Sequence, residues 1–465
     1  MIENDAFKLL LINLFHLNPD DIANILCTTF NKMMVLVVTL TDKHQACPYC
    51  GFTAPKIKEY VTKEITHSAL TTQKCIIKYR ARRYKCSCCG KTYYEFNPFV
   101  FKSQKISILT VHNILKDLKD FNETFTSVAR RYHVSPTSVS TIFDNHVDIG
   151  RNPLPEIINF DEVYAFKSEK SKYVCVLLDF KKQIPVDILP NRKKEYLLNY
   201  FQKIPLEERK KVKYACSDMY EVYRDVVHKV FPSCCMLLDY FHLSQDFHRK
   251  MNEVRIKVMK GYKDNKASDE YYLLKKFNWL LFKNPEDEDK YGRLFDVERE
   301  RKYNSHFKSY MNYYDLRKKL LEINNDLTIC YSLKLELVDF YSKSTIDNAQ
   351  VNLEHLIRSC IDTNIDEMIA FSNNLINWKQ EIINSFTIVG TEYKVEADKG
   401  QVVVCNKKVN NAIIENRNKI IKCIKNNANG YTNWSRFRNR VMYVLDPNAT
   451  FSLEPREKQS WMHKT

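Results

Sequence analysis

Between Ile157 and His242 the chain reads IINFDEVYAF (157–166), YVCVLLDF (173–180), IPVDILP (184–190), KKEYLLNYFQKI (193–204), KYACSDMYEVYRDVV (213–227) and CMLLDYFH (235–242). Apolar, β-branched runs alternate with amphipathic ones, the pattern of a mixed sheet flanked by helices. Two of these runs hold a carboxylate, Asp161 and Asp218, at the rim of a buried strand. Desolvating a carboxylate there is costly unless a cation meets it. A third carboxylate from a distant helix would complete a cage for a divalent ion. The candidate is Glu415, in VNNAIIENRNKIIKCIK (409–425).

Each of these residues also has a plainer use. A strand-end Asp often caps the turn or helix that follows it. Glu415 shares a helical face with Lys419 and Lys422, and a surface Glu–Lys pair needs nothing more. Glu162 is pointed by alternation to the opposite face from Asp161, and Asp179 closes the second strand, so neither is expected to reach a metal. Asp239 and His242, at the exit of the fifth strand, are read first as a helix-capping Asp and a packed His, with steadying of the acidic site or contact with a ligand strand as the other use of that Asp-x-x-His spacing, and neither is expected to be catalytic.

Upstream, Cys47-Pro-Tyr-Cys50-Gly51 is followed after thirty-five residues by Cys86-Ser-Cys88-Cys89-Gly90. Each is a Cys-x-x-Cys-Gly knuckle, whose glycine permits the turn that brings backbone N–H groups towards thiolate. Cys47, Cys50, Cys86 and Cys89 are therefore expected to make a tetrahedral structural Zn²⁺ site, the plainer use being buried, unliganded thiols; of the rival ligands, Cys88 breaks the paired spacing, and both it and Cys75 are read as bystanders. The strands EYVTKEIT (59–66) and CIIKYRARRYKC (75–86) fill the gap between the knuckles. Nearer the start come a helix-like LLLINLFHL (9–17), a capped segment DDIANIL (20–26) and a strand-like MMVLVVTLT (33–41).

The stretch TFTSVARRYHVSPTSVSTIFDNH (124–146) has the spacing of a helix-turn-helix. Ala129 sits where two helices touch, Val134, Val139 and Ile142 build a small core, Ser135 caps the second helix and Pro136 opens it. His133 stands in the turn position where glycine is usual, so a left-handed backbone is expected there. Thr137, Ser138, Thr141 and Asn145 form the face offered to a DNA major groove. Downstream, about 175 residues separate Asp239 from Glu415, too many for a plain connection. Segments such as YYLLKKFNWLLFK (271–283), NYYDLRKKLLEINN (312–325) and LEHLIRSCI (353–361) have helical spacing, so an all-α insertion is expected.

The 465 residues carry a net charge of +16, concentrated around the cysteines: from Lys56 to Lys105, twelve Lys or Arg face three Glu. Interleaved with Tyr and Phe, that density fits a nucleic-acid surface with Arg80, Arg82, Arg83 and Lys85 on phosphates. Tyr431, Trp434, Arg436, Arg438 and Arg440 form a second basic and aromatic stretch suited to DNA. A membrane partner is not expected, because the longest early apolar run, MMVLVVTL, is far too short to cross a bilayer. Without a secretory leader, the fifteen cysteines read as cytosolic thiols plus one metal site.

Taken together, INFDEVYAFK, CSDMYEVYRDVV, LLDYFH and NNAIIENRNKIIKCIKNNANGYTNWSRFRNRVMY resemble the transposases of the ISL-three family of bacterial insertion sequences. The resemblance extends through CPYCG, RRYKCSCCGKTYYE and KKFNWLLFKNPED, in the family's order, although Asn411-Ala412 replaces the usual Ser or Asn followed by Gly. It implies a ribonuclease-H-like core whose Asp, Asp, Glu triad holds two Mg²⁺ or Mn²⁺ ions, here Asp161, Asp218 and Glu415. The expected fold is thus a multidomain α+β chain: a zinc ribbon within 1–105, a helix-turn-helix at 106–150, the first part of the core at 151–242, an all-α insertion at 243–405, the catalytic helix and basic segment at 406–446, and a loose tail at 447–465. The expected function is a DNA transposase, acting as a dimer or higher oligomer on double-stranded element ends and target DNA in the bacterial cytosol. The rivals are a DNA-binding regulator with a dead core and a nuclease without strand transfer.

Overall fold

The computed structural model describes residues 2–43, 46–53, 55–70, 72–101, 104–166, 171–395 and 402–456. Helix α1 (Ile2–Leu14) leads into strands β1 (Ile22–Phe30), β2 (Met33–Leu40), β3 (Lys56–Thr66), β4 (Cys75–Lys85) and β5 (Thr92–Tyr94). They form one sheet in the order β1-β2-β4-β3, with β5 also on β4. The segment DDIANIL is not a capped helix. A single 3₁₀ turn, Pro19–Asp21, is capped by Asn18, and the chain then extends as β1. The cue lies further on: Asn31 and Lys32 both have positive φ, 47° and 61°, the two-residue hairpin turn that pairs Phe30 with Met33. Leu36, Val38, Ile77 and Tyr79 of the sheet bury against Leu11, Ile12 and Phe15 from α1 and its C-terminal end.

Three short helices follow, α2 (Ile108–Asp117), α3 (Phe125–Arg131) and α4 (Pro136–His146). Side chains start each of them: Ser107 accepts from Thr110 N, Thr124 and Ser127 form a capping box, and Ser135 accepts from Ser138 N ahead of Pro136. His133 adopts φ 54° in the turn between α3 and α4. Val128, Ala129, Val139 and Ile142 are buried between the helices, as the spacing requires.

The stretch from Ile157 folds as strands β6 (Ile157–Val163), β7 (Val174–Asp179), β8 (Pro185–Leu189), β9 (Tyr214–Ser217) and β10 (Cys235–Leu238), with helices α5 (Lys194–Gln202), α6 (Leu206–Arg209) and α7 (Glu221–Val230) between them. Sheet order is β10-β9-β6-β7-β8, antiparallel from β6 to β8 and parallel from β6 through β9 to β10. Leu197 and Phe201 of α5 and Val226, Val227 and Val230 of α7 cover one face of this sheet. Helices close the opposite face too, which is why these strands read as continuous apolar runs rather than alternating ones.

The insertion runs through α8 (Tyr240–Lys260), α9 (Asp269–Lys276), β11 (Glu288–Asp289), β12 (Gly292–Arg293), β13 (Lys302–Asn304), β14 (Ser309–Met311), α10 (Tyr313–Glu322), α11 (Asn325–Lys343), α12 (Ala349–Asp362), α13 (Asp366–Asn377) and α14 (Lys379–Asn384). Phe247, Leu274, Leu320, Leu337, Leu356 and Phe371 belong to a core of its own. It is not all-α: two short hairpins interrupt it, and a third, β15 (Ile388–Val395) with β16 (Val402–Lys408), runs across the expected boundary at 405.

Two last helices, α15 (Ala412–Asn427) and α16 (Trp434–Leu445), close the second face of the central sheet through Ile414, Ile421, Phe437 and Val441. Nor are residues 447–456 loose. Ser452 N and Arg456 N donate to the carbonyls of His146 and Asn145, and Phe451 meets His112 edge to face. The remainder of the tail, 457–465, lies outside the described residues. Among the described residues no helix is long and apolar enough to cross a membrane.

Candidate active site and cysteine cluster

Register brings the acidic residues together. Strand β6 pairs in parallel with β9 as Ile158 with Ala215 and Asn159 with Cys216. Two residues further, Asp161 and Asp218 stand at the same level. On the other side of β9, Leu238 pairs with Ser217, so the next residue, Asp239, stands level with Asp218 as well. Three neighbouring parallel strands thus deliver an aspartate each to one edge of the sheet.

Asp161 is 7 % exposed; its Oδ1 accepts from Glu162 N at 2.7 Å and its Oδ2 from Asn418 Nδ2 at 2.7 Å. Burial first, and then the charge of Asp218, push its carboxyl up to about 7. Burial also raises Asp218 and Asp239. Helix α15 supplies the rest. Asn159 Nδ2 donates to Asn410 O at 2.8 Å and to Asn411 Oδ1 at 2.7 Å, tying the start of α15 to β6. Glu415 follows in the first turn, and Asn418, three residues on and so on the same helical face, fixes the helix to Asp161. Helix α8 adds His242, whose Nε2 lies 3.8 Å from Asp239 Oδ2 and 4.0 Å from Glu415 Oε1.

Asp161, Asp218 and Glu415 meet here as the sequence suggests, joined by Asp239 and His242, which the sequence offers only as a spacing, and by Asn159, Asn411 and Asn418, which it does not single out for the site. Asp239 occupies the cap position of α8, where the backbone N–H of Phe241 reaches its carboxylate while Oδ2 is left without a partner. The signal was available in the spacing: His242 at i+3 from Asp239, and Asn418 at i+3 from Glu415. Glu162 faces the other way, ion-paired with Arg192 and 3.4 Å from Tyr223 of α7. Asp179 caps its own turn, accepting from Lys181 N and Lys182 N.

The cysteine knuckles meet as one cluster. Each is closed by twin backbone bonds, Gly51 N to Cys47 O and Cys47 N to Phe52 O in one, Gly90 N to Cys86 O and Cys86 N to Lys91 O in the other. Gly51 and Gly90 have φ of 74° and 71°, a conformation glycine adopts at little cost. Cys47 and Cys89 sulfurs are 3.7 Å apart and those of Cys50 and Cys86 3.5 Å. Four thiolates at ~2.3 Å around a tetrahedral Zn²⁺ stand about 3.8 Å from one another, so the cluster has the dimensions of that site. The backbone N–H of Cys89, and that of Cys88, draw the Cys86 thiol down to about 7.

The residues expected to meet DNA divide. Arg80 and Lys85 on β4 are exposed, the former over the Tyr60 ring. Arg82 is spent on Glu95 and on Leu40 O, and Arg83 on Glu59. On α4, Thr137 and Thr141 are exposed, while Ser138 and Asn145 are half-buried. Of the arginines of α16, Arg440 is a correction. Arg436 pairs with Asp144 at 2.6 Å, and Arg438 donates to Asp187 and to Ile149 O. Arg440 is 1 % exposed and donates to the carbonyls of Asp120 and Glu123. These three hold α16 between the central sheet and α2–α4; Arg440 is closed off from solvent, whereas Arg436 and Arg438 stay part-exposed.

Comparison with known proteins places the chain in a family. The transposase family of ISL-three, DDE type matches residues 158–397, from β6 through the insertion. The chain is also 20 % identical over 411 residues to the transposase for insertion sequence element IS1001 of Bordetella parapertussis, covering 88 % of this chain and 91 % of that protein. With more than half of its length matched, the chain belongs to the ISL-three family of transposases.

Proposed function

We propose that this transposase binds the ends of its insertion sequence, cuts them and joins the freed 3′ hydroxyls to target DNA, with Asp161, Asp218 and Glu415 as a metal-holding triad in a ribonuclease-H-like core. The observation that carries the reading is the level placement of Asp161 and Asp218 on parallel neighbours, with α15 pinned to Asp161 beside Glu415. Asp161 and Asp218 repel one another at close quarters, and Asp218 Oδ1 is buried with no hydrogen-bond partner. Such a donor set fits Mg²⁺ or Mn²⁺, which take carboxylate oxygens and leave positions for substrate phosphate. Divalent ions bound there supply the positive charge that steadies the attacking and leaving oxygens of an in-line displacement at phosphorus.

The remaining parts have supporting roles. Asn418 holds one oxygen of Asp161 and Asn159 holds the start of α15, so the triad is oriented before substrate arrives. We assign DNA contact to Arg80 and Lys85 beside the zinc-binding cysteines in 1–105, and to Thr137 and Thr141 of a helix-turn-helix in 106–150. Residues 151–242 and 406–446 form the core, interrupted by the insertion. Two element ends have to be held together, which asks for at least a dimer in the bacterial cytosol.

The test is incubation of purified, zinc-loaded protein with labelled element ends and Mg²⁺ or Mn²⁺. Asp161→Asn, Asp218→Asn and Glu415→Gln should bind the ends nearly as well as the parent and lose cleavage and joining by orders of magnitude, while Asp179→Asn stays within about tenfold. Cleavage without a joined product would favour the nuclease, and binding without cleavage by the parent would favour the regulator.

A further inference from the structure

We propose that Asp239 and His242 are metal ligands, which together with Glu415 form a mixed nitrogen and oxygen site for a first-row divalent cation beside the Asp161–Asp218 pair. The inference rests on the metal-dependent reading above and adds two ligands to it. Asp239 is 3 % exposed, and its Oδ2 has no hydrogen-bond partner; His242 Nε2 is likewise buried and unpartnered. These two atoms face each other at 3.8 Å, and Glu415 Oε1 lies 4.0 Å from the same nitrogen. All three ligand atoms fall within 4.8 Å of one another.

Those separations are too long for hydrogen bonds, which at N–H···O run to about 3.2 Å. They fit atoms that share an ion as well as a loose ion pair. Ligands held at ~2.1 Å from one cation stand about 3 to 4.2 Å apart, from adjacent to opposite positions. The backbone N–H groups of Phe241 and Asn411 reach the Asp239 carboxylate, yet its Oδ2 and the His242 Nε2 that faces it stay buried and unpartnered. The register explains the delivery: Asp239 is the third aspartate of the row on β6, β9 and β10, and α8 begins at the next residue, bringing His242 round after one turn. An imidazole donor favours Mn²⁺ and its heavier neighbours over Ca²⁺ or Mg²⁺, which prefer an all-oxygen shell.

The experiment uses the full, zinc-loaded chain with Mn²⁺ alone, read by electron-spin-echo modulation and by titration of free Mn²⁺. The parent should show a directly bound ¹⁴N. His242→Gln should lose that signal, and both it and Asp239→Asn should bind Mn²⁺ at least about tenfold more weakly, with zinc content and circular dichroism unchanged. A parent that binds Mn²⁺ without nitrogen coupling would overturn the inference while leaving the carboxylate triad standing. Nitrogen coupling that persists in His242→Gln would overturn it as well. A parent that binds no Mn²⁺ would sink both this inference and the reading it rests on. The parent spectrum decides even if a variant fails to fold.

Discussion

Replacing Asp161 by Asn should make the magnesium-free protein more stable while abolishing its activity. In the folded chain this carboxyl is moved from its ordinary 3.8 to about 7, by burial and by Asp218. At about 1.4 kcal/mol per pH unit, holding it ionised costs about 4 kcal/mol. The sign follows from linkage: the contribution of this group is intact below its unfolded pKa and is lost as pH rises through its folded one, between 3.8 and about 7. The amide removes that penalty but matches its surroundings less well. Oδ1 and Oδ2 both accept hydrogen bonds, from Glu162 N and Asn418 Nδ2, and an amide has one oxygen for the two donors. The misfit returns about 1–3 kcal/mol. The net gain at pH 7.5 is then about 1–3 kcal/mol, and for a folding unit of about 150–250 residues each kcal/mol moves the melting point about 2–4 °C. Thermal melts in buffer freed of Mg²⁺, with the structural zinc left in place, should put Asp161→Asn several degrees above the parent at pH 7.5 and at or below it at pH 4.5. Adding Mg²⁺ should raise the parent and leave the variant where it was. A variant that melts below the parent at pH 7.5, or by the same margin at both pH values, would refute the reasoning.

Purified protein should carry about one equivalent of tightly held zinc, and Cys89→Ser should lose it while Cys88→Ser keeps it, as read by metal analysis. Arg80→Ala with Lys85→Ala should weaken binding to every DNA sequence and flatten its salt dependence by about two counterions, whereas Arg82→Ala should cost about 3–5 kcal/mol of stability by stranding Glu95. Lys334 is 1 % exposed, donates to the carbonyls of Leu281 and Lys283, and is brought down to about 7 by burial. Its lowered pKa means that stability is gained as pH rises from about 7 towards 10.5; between pH 7 and 9 the parent should gain about 1–2 kcal/mol over Lys334→Met in urea titrations.

The five strands of the central sheet were legible because helices cover both faces, so Val174–Leu178 is apolar throughout and Pro185–Leu189 is broken only by the buried Asp187. The cysteine cluster was legible because its geometry is local to two five-residue knuckles. Strand β1 was not: Asp20 and Asp21 look like a helix start, and what makes Ile22–Phe30 extended is its pairing with the next strand. The hairpins of the insertion escaped notice because two of them have strands of only two or three residues. Arg440 of α16 misled for a different reason. An arginine beside tyrosine and tryptophan looks the same whether its donors meet phosphate or protein carbonyls. The carbonyls that take up Arg440 belong to the loop between α2 and α3, at the far end of the chain. Asp239 and His242 were visible as a spacing, and only the register of β9 with β10 shows that they join the acidic row.

The position of α15 and α16 has a consequence for how the enzyme comes into being on the ribosome. Glu415 and Asn418, which finish the acidic site, are made some 170 residues after Asp239. Helix α16 is made later still, and through Arg436, Arg440 and Tyr443 it supports α2–α4, synthesised near the beginning. A nascent or prematurely stopped chain therefore lacks both the last carboxylate and the brace behind the helices assigned to DNA. The capacity to cut and the capacity to recognise would mature together, at the end of synthesis. A frameshift or nonsense mutation late in the gene would then remove Glu415 and the brace behind α2–α4 together, while leaving the cysteine cluster, Arg80 and Lys85 in place.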